Sequence, residues 1–192
     1  MMCTNDRNQL HVVLEQLFYP AILGSAIYAI FERLFSSESS FITIATGILV
    51  LALVVLYVAD YAYTVVNVVP SKYSVVQFVT DMLIVLCFYL AVKAALGSFI
   101  FGASVVFWLF ITKLLSVVWE ISEVARNNHK WSSMDKYEVG SDAAFMVIYL
   151  VIAFWFYGTD RGTEPYYVLV LATFVFLDTA TYWLHDWLKV EK

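Results

Sequence analysis

The chain has 192 residues, of which 62% are hydrophobic and 14% charged, and its formal net charge is −5. An average soluble domain has about a quarter of its residues charged, so this composition excludes a water-soluble globule, a disordered chain and a coiled coil. The negative charge, without any block of lysine or arginine, also argues against nucleic acid as a partner.

Six apolar stretches follow one another along the chain, separated by short polar segments. A helix needs about 20 residues to cross a bilayer, and each stretch is close to or above that length. Strands are excluded because the stretches do not alternate, and lipid accepts only helices or closed barrels. We therefore predict one all-α domain, residues 1–192, that is a polytopic bundle of six transmembrane helices. The predicted spans are 10–35, 41–69, 74–96, 98–122, 142–158 and 165–190.

The segments between these spans contain residues that are typical of turns. A serine-rich segment covers 36–40, Pro70 ends the second span, and Gly97 and Ser98 form a tight hairpin. Pro165 suits the first turn of the last helix, where a missing backbone N–H costs nothing. These signals predict where helices end, but only to within several residues.

Basic residues are distributed unevenly between the two sides of such a bundle. With six spans, both termini and the second and fourth connections share one side. The basic residues on that side are Arg7, Lys72, Arg126, Lys130, Lys136, Lys189 and Lys192, whereas the other side has Arg33, Lys93 and Arg161. The positive-inside rule then places both ends in the cytoplasm. We expect a multi-pass protein of the inner or plasma membrane, with the lipid bilayer as its main partner.

The longest polar segment, 125–141, joins the fourth and fifth spans on the cytoplasmic side. It has mixed charge, and its Trp131 and Tyr137 are suited to the membrane interface. We interpret it as a solvated connector. The alternative is a docking surface for a cytosolic protein partner.

Four of the predicted helices carry polar residues along a single face, at the spacing of a helical stripe. A charged side chain at the bilayer centre costs about 2.5–3.5 kcal/mol on insertion scales, so each needs a partner or water. Lys113 lies at the edge of the stripe on the fourth helix. The residues that we predict to bind an ion or substrate are Asp60, Tyr61, Thr64, Asp81, Glu120, Asp178, Tyr182 and His185.

Depth in the membrane brings these stripes together. A helix rises 1.5 Å per residue, which places Asp60 and Asp81 about 12 Å from the cytoplasmic ends of their helices, and Asp178 somewhat deeper. The stripes thus predict a crevice in the inner half of the membrane that opens to the cytoplasm. The alternative is an interhelical hydrogen-bond network that holds the bundle together. The excess of acids over the single Lys113 favours the crevice.

No familiar catalytic or cofactor motif accompanies these residues. A catalytic zinc site needs three protein ligands, and His185 is the only histidine near the stripes. Motifs for calcium, nucleotides, serine hydrolysis and metalloproteases are also missing from the sequence. Cys3 and Cys87 cannot form a disulfide framework or a redox pair. We expect no cofactor and no catalytic residue, and we leave the identity of any metal open.

Three functions are compatible with these observations. The first is a small channel or transporter-like protein that handles a cation or proton through the acidic crevice. The second is an accessory or effector protein that acts without catalysis, through oligomerisation and the 125–141 segment. The third is a membrane enzyme that modifies lipids. A pore built from so short a chain would be completed by homo-oligomerisation, which we therefore expect.

Overall fold

The computed structural model describes residues 11–36, 41–67, 73–97, 101–127, 133–159 and 165–190. Nearly all of these residues are helical, which confirms the all-α class. A π-helical turn, Leu14–Phe18, leads into the first α-helix. The helices are α1 (Tyr19–Ser36), α2 (Phe41–Asn67), α3 (Val75–Leu96), α4 (Phe101–Asn127), α5 (Ser133–Thr159) and α6 (Pro165–Val190).

Five of these helices, α2 to α6, are long and apolar enough to cross a membrane. Their outer faces carry many exposed large apolar side chains, such as Leu51 at 56% and Phe154 at 71% exposure. So much exposed apolar surface is unusual for a soluble monomer and is suited to lipid. These features support a multi-pass membrane protein. Helix α1 is not one of the five, so a sixth span stays a prediction.

Local sequence explains several helix ends. At the start of α3, the Ser74 side chain accepts a hydrogen bond from the Gln77 backbone N–H at 3.2 Å. The Gln77 side chain accepts one from the Ser74 N–H at 2.9 Å. This reciprocal capping box satisfies two backbone donors that the first turn leaves without helical partners. Gly97 caps the other end of α3, and Pro165 begins α6, as predicted. Pro70 and Ser98 lie outside the described residues.

The segment between the fourth and fifth spans differs from its sequence interpretation. Helix α4 continues to Asn127 and α5 begins at Ser133, nine residues before the predicted start at 142. Hydropathy failed here because the first turns of α5 are polar yet face other helices. The Tyr63 hydroxyl of α2, for example, donates a 2.7 Å hydrogen bond to Glu138. Most of the predicted connector is therefore helix, while residues 128–132, including Trp131, lie outside the described part of the chain.

The helices form two closely packed groups. Helix α4 packs along both α3 and α5, which defines a three-helix group, and α2 packs along α6, which defines a two-helix group. The groups meet through smaller contacts between α2 and α3 and between α5 and α6, and α1 lies against both α2 and α3. The candidate functional site lies at the boundary between the two groups.

Candidate functional site

The interior of the bundle is apolar at one end and polar at the other. Buried apolar side chains such as Leu49, Leu53, Leu109 and Leu171 come from the first halves of α2, α4 and α6. Buried polar side chains come from the second halves of α2 and α6, the first halves of α3 and α5, and the centre of α4. They are Asp60, Thr64, Gln77, Thr80, Asp81, Thr112, Lys113, Ser116, Asp142, Asp178 and Thr179. Five helices thus contribute polar groups to the same end of the bundle.

A buried lysine lies at the base of this polar half. The Lys113 ammonium is 2.7 Å from Oδ1 of Asp142 and 2.6 Å from Oδ1 of Asp178. The Tyr149 hydroxyl donates a 2.9 Å hydrogen bond to the other oxygen of Asp178. Lys113 is 2% exposed and Asp178 is completely buried. The contact with Asp142 is a charge-assisted hydrogen bond, which is the strong class, and the contact with Asp178 is an ion pair. Together they tie α4 to both α5 and α6.

Asp60 receives hydrogen bonds from two different helices. The Tyr19 hydroxyl of α1 donates to Oδ2 at 2.9 Å, and the Tyr182 hydroxyl of α6 donates to Oδ1 at 3.3 Å. The Tyr57 hydroxyl in turn donates to the Tyr19 backbone carbonyl at 3.0 Å. These bonds hold α1 against α2 and satisfy Asp60 with neutral donors, without a cation.

Asp81 accepts a hydrogen bond from the hydroxyl of Tyr73, which precedes α3 and is completely buried. Burial and the neighbouring Asp81 raise the pKa of Tyr73 far above its usual value, so the hydroxyl keeps its proton as a donor. The edge of the His11 ring packs on the Tyr73 ring, with 5.1 Å between the centroids. Asp81, like Asp60, is therefore held by a hydrogen bond from a tyrosine hydroxyl.

A partly open cavity of about 60 Å³ lies between the two helix groups. A buried water needs roughly 10–15 Å³ of such space, so the cavity has room for a few water molecules. Its lining residues are Asp60, Tyr63, Thr64, Asp81, Ile84, Ser116, Trp119, Glu120, Tyr137, Glu138, Ser141, Asp142, Thr181 and Tyr182. Apart from Ile84, every lining residue carries a carboxyl, hydroxyl or aromatic group.

The cavity brings together five of the eight residues predicted from the sequence. These are Asp60, Thr64, Asp81, Glu120 and Tyr182. Asp178 lies deeper, in contact with Lys113, and does not line the cavity. Tyr61 packs its ring against that of Tyr19, with 4.9 Å between the centroids. His185 belongs to α6, but its side chain lies outside the described part of the structure.

Sequence reasoning missed several residues of this site. The stripe pattern places Lys113 at the edge of a face, and Asp142 is the first residue of the predicted fifth span, so neither is among the predicted site residues. A lone lysine inside an apolar span does signal a buried acidic partner, but the signal does not identify which acid. Tyr19 and Tyr149 carried no comparable signal, because their acidic partners are 41 and 29 residues away in the chain.

The acids of the cavity outnumber its cations. For Asp60, Asp81 and Glu120, no ion pair forms with any residue in the described ranges. One oxygen of Glu120 and the indole N–H of Trp119 are buried without a hydrogen-bond partner there. The same residues include no group of three side chains arranged to hold a metal ion. The site's chemistry therefore suits protons, water and small, loosely held cations.

Comparison of the chain with protein-family models, curated proteins and solved structures finds no match.

Proposed function

We propose that this chain is a channel or transporter-like membrane protein that takes up a proton or small cation into the cavity between its two helix groups. One observation carries the proposal: Asp60, Asp81 and Glu120 share one cavity wall, and none of them forms an ion pair within the described residues. Taking a carboxylate out of water costs several kcal/mol unless a positive charge, a proton or water compensates it. A cavity of this kind attracts cations.

The balance of charge around the cavity supports this function over a purely structural network. Lys113 is already engaged with Asp142 and Asp178. A network that serves stability alone is best satisfied internally, because a partly satisfied polar core is less stable than an apolar one. The remaining acids, Asp60, Asp81 and Glu120, suit a site that takes up a proton or a cation from its surroundings and releases it again.

The opposite end of the bundle favours a gated or alternating mechanism over an open pore. The described interior there is filled by apolar side chains, of which Leu49, Leu53 and Val105 are completely buried. An ion that enters the cavity meets this packed layer, so passage through it requires the helix groups to move. The limited contact between the groups is compatible with such movement.

For the arrangement in the membrane, we propose six spans with both termini in the cytoplasm, so that the cavity opens to the cytoplasm. The hydrogen bond from Tyr19 to Asp60 supports membership of α1 in the bundle. The excess of basic residues on the side of the termini supports the orientation.

The test is ion flux in liposomes that contain the purified protein, with a pH-sensitive dye for protons and a potassium-sensitive dye for K⁺. We expect flux in the parent protein and a strong reduction in Asp60→Asn and in Asp81→Asn, because the amide keeps the size but removes the charge. Asp160→Asn, in the sequence between α5 and α6, is the matched control and should leave flux unchanged.

A parent protein that moves neither ion contradicts the proposal and favours the accessory or effector function. Flux that persists in both aspartate variants contradicts the role of the acids. The homo-oligomer and the cytosolic partner at residues 125–141 remain predictions.

A further inference from the structure

Asp142 lies where the cavity meets the buried lysine. Its Oδ1 is 2.7 Å from the Lys113 ammonium, and the residue also lines the cavity while being 7% exposed. No hydrogen bond joins its second oxygen to any residue of the described ranges. Asp178, in contrast, uses one oxygen for Lys113 and the other for Tyr149. Of the two acids, only Asp142 lines the cavity.

The three groups together carry an uncompensated negative charge when both acids are ionised. Two carboxylates share one ammonium, and all three side chains are at most 9% exposed. A buried net charge is costly, and groups in that position take up a proton in preference to remaining charged. One proton makes the set of Asp142, Lys113 and Asp178 neutral.

A metal ion is poorly suited to supply that charge. The Lys113 ammonium already occupies the space between the two carboxylates, at 2.7 and 2.6 Å. A cation coordinated by both acids has to displace it, and the described residues contain no group of three metal-binding side chains. A proton needs no such space, and the second oxygen of Asp142 accepts no hydrogen bond from the described residues.

We infer that Asp142 is the proton-accepting residue of the cavity, and that the ion handled by this protein is the proton. The inference rests on the proposed function and names its substrate. The step is a transfer from a hydronium ion in the cavity to the Asp142 carboxylate, which leaves a neutral carboxyl group and one water molecule. The neutral carboxyl holds Lys113 less strongly, and Lys113 then remains bound to Asp178 alone.

This step acts on the boundary between the helix groups. Asp142 and Lys113 belong to the three-helix group, whereas Asp178 belongs to the two-helix group. While Asp142 is ionised, it shares Lys113 with Asp178. Protonation of Asp142 ends its competition with Asp178 for Lys113. The Lys113–Asp178 contact, which joins the two helix groups, then becomes stronger. Proton uptake is thereby coupled to the relative position of α6.

Charged and titratable groups from five helices surround Asp142. The groups that line the cavity with it are Tyr137 and Glu138 of α5, Glu120 of α4, Tyr182 of α6, Asp60 and Tyr63 of α2 and Asp81 of α3, while Lys113 of α4 contacts both Asp142 and Asp178 of α6. Lys113 is the only cation among these groups.

Infrared difference spectroscopy tests the assignment on the full chain in phosphatidylcholine bilayers. Exchange from alkaline to acidic buffer should produce the C=O stretching bands of newly protonated carboxyl groups. We expect one band to disappear in Asp142→Asn and to shift in Asp142→Glu, which keeps a carboxyl group. The same band should persist in Asp178→Asn. The glutamate variant keeps the test valid if the asparagine variant folds poorly.

Flux measurements on the same samples separate this inference from the proposed function. Proton flux without K⁺ flux, with proton flux abolished in Asp142→Asn, supports both. An unchanged set of bands in Asp142→Asn overturns the assignment of the residue. K⁺ flux without proton flux overturns the proton as substrate and leaves the proposed cation function in place. Loss of the band in a protein that moves no ion supports the protonation site and overturns the proposed function.

Discussion

The Lys113 ammonium of α4 and the Asp178 carboxylate of α6 lie 2.6 Å apart in the interior of the bundle. The two side chains are 2% and 0% exposed, so neither charge is solvated by water. Their helices belong to different groups, so the contact joins the two groups. Its loss should therefore affect both stability and helix arrangement.

Replacement of Lys113 by methionine should destabilise the protein strongly. The methionine keeps an unbranched chain but leaves Asp142 and Asp178 without their cation, and breaking a buried ion pair costs about 3–5 kcal/mol. Reversible unfolding in mixed micelles measures the change. Lys93→Met is the matched control, because Lys93 is exposed on α3, and such surface changes stay within about 0.5 kcal/mol.

A further variant separates charge from packing at this position. Neutralising both acids in the Lys113→Met background removes the unpaired charges, so part of the lost stability should return. Equal stability of Lys113→Met and Lys93→Met would contradict the buried position of Lys113 between the two acids.

Tyr19→Phe tests the attachment of α1 to the bundle. The change removes only the hydroxyl that donates to Asp60 at 2.9 Å, and leaves the ring packed against Tyr57 and Tyr61. Hydrogen bonds to charged groups and bonds between membrane helices suggest a loss of about 1–2 kcal/mol. Tyr28→Phe is the control on the same helix, because Tyr28 is 69% exposed. If both variants unfold alike, α1 is not held by this bond.

Much of the fold was predictable from the sequence because lipid restricts the possible structures. Long apolar runs in a bilayer must be helices, and five of the six predicted spans coincide with helices that are apolar enough to cross it. The start of α5 was not predictable from hydropathy. Its first turns contain polar residues, such as Tyr137 and Glu138, that line the cavity. A polar segment of sequence is equally compatible with a solvent-exposed loop and with a helix face that lines a hydrated cavity.

The sequence predicts the part of the candidate site that depends only on helical periodicity and on depth in the membrane. The stripe and depth arguments brought Asp60, Asp81 and Glu120 to one place, and all three line the cavity. Periodicity does not determine which helices are neighbours or how each is rotated. The pairing of Lys113 with Asp142 depends on that arrangement, so it could not be read from the spacing of residues on a single helix.

Two leucines of α2 test which face of that helix is turned to the interior. Leu53 is completely buried, whereas Leu51, two residues earlier, is 56% exposed. Leu53→Ala creates a cavity and should cost about 2–5 kcal/mol, while Leu51→Ala leaves no cavity inside the protein. The two variants match in chemistry and differ in position, so their difference in unfolding free energy isolates packing. A larger loss at Leu51 would mean that α2 is rotated relative to the described bundle.

Cysteine labelling of intact cells tests the six-span arrangement, and with it the side on which the cavity opens. In a Cys87→Ser background, Cys3 reports on the N-terminus. In a background that also carries Cys3→Ser, Arg161→Cys and Lys192→Cys report on the α5–α6 connection and the C-terminus. A maleimide that cannot cross membranes should label only Arg161→Cys in intact cells. Cys3 itself and the Lys192→Cys position should react only after permeabilisation, because an even number of spans returns the chain to the cytoplasm. A variant without cysteine gives the background. Labelling of Cys3 but not of Lys192→Cys would show an odd number of spans, so that α1 lies outside the membrane-crossing set. Labelling of both termini and not of Arg161→Cys would show that the bundle has the opposite orientation, with the acidic cavity open to the exterior.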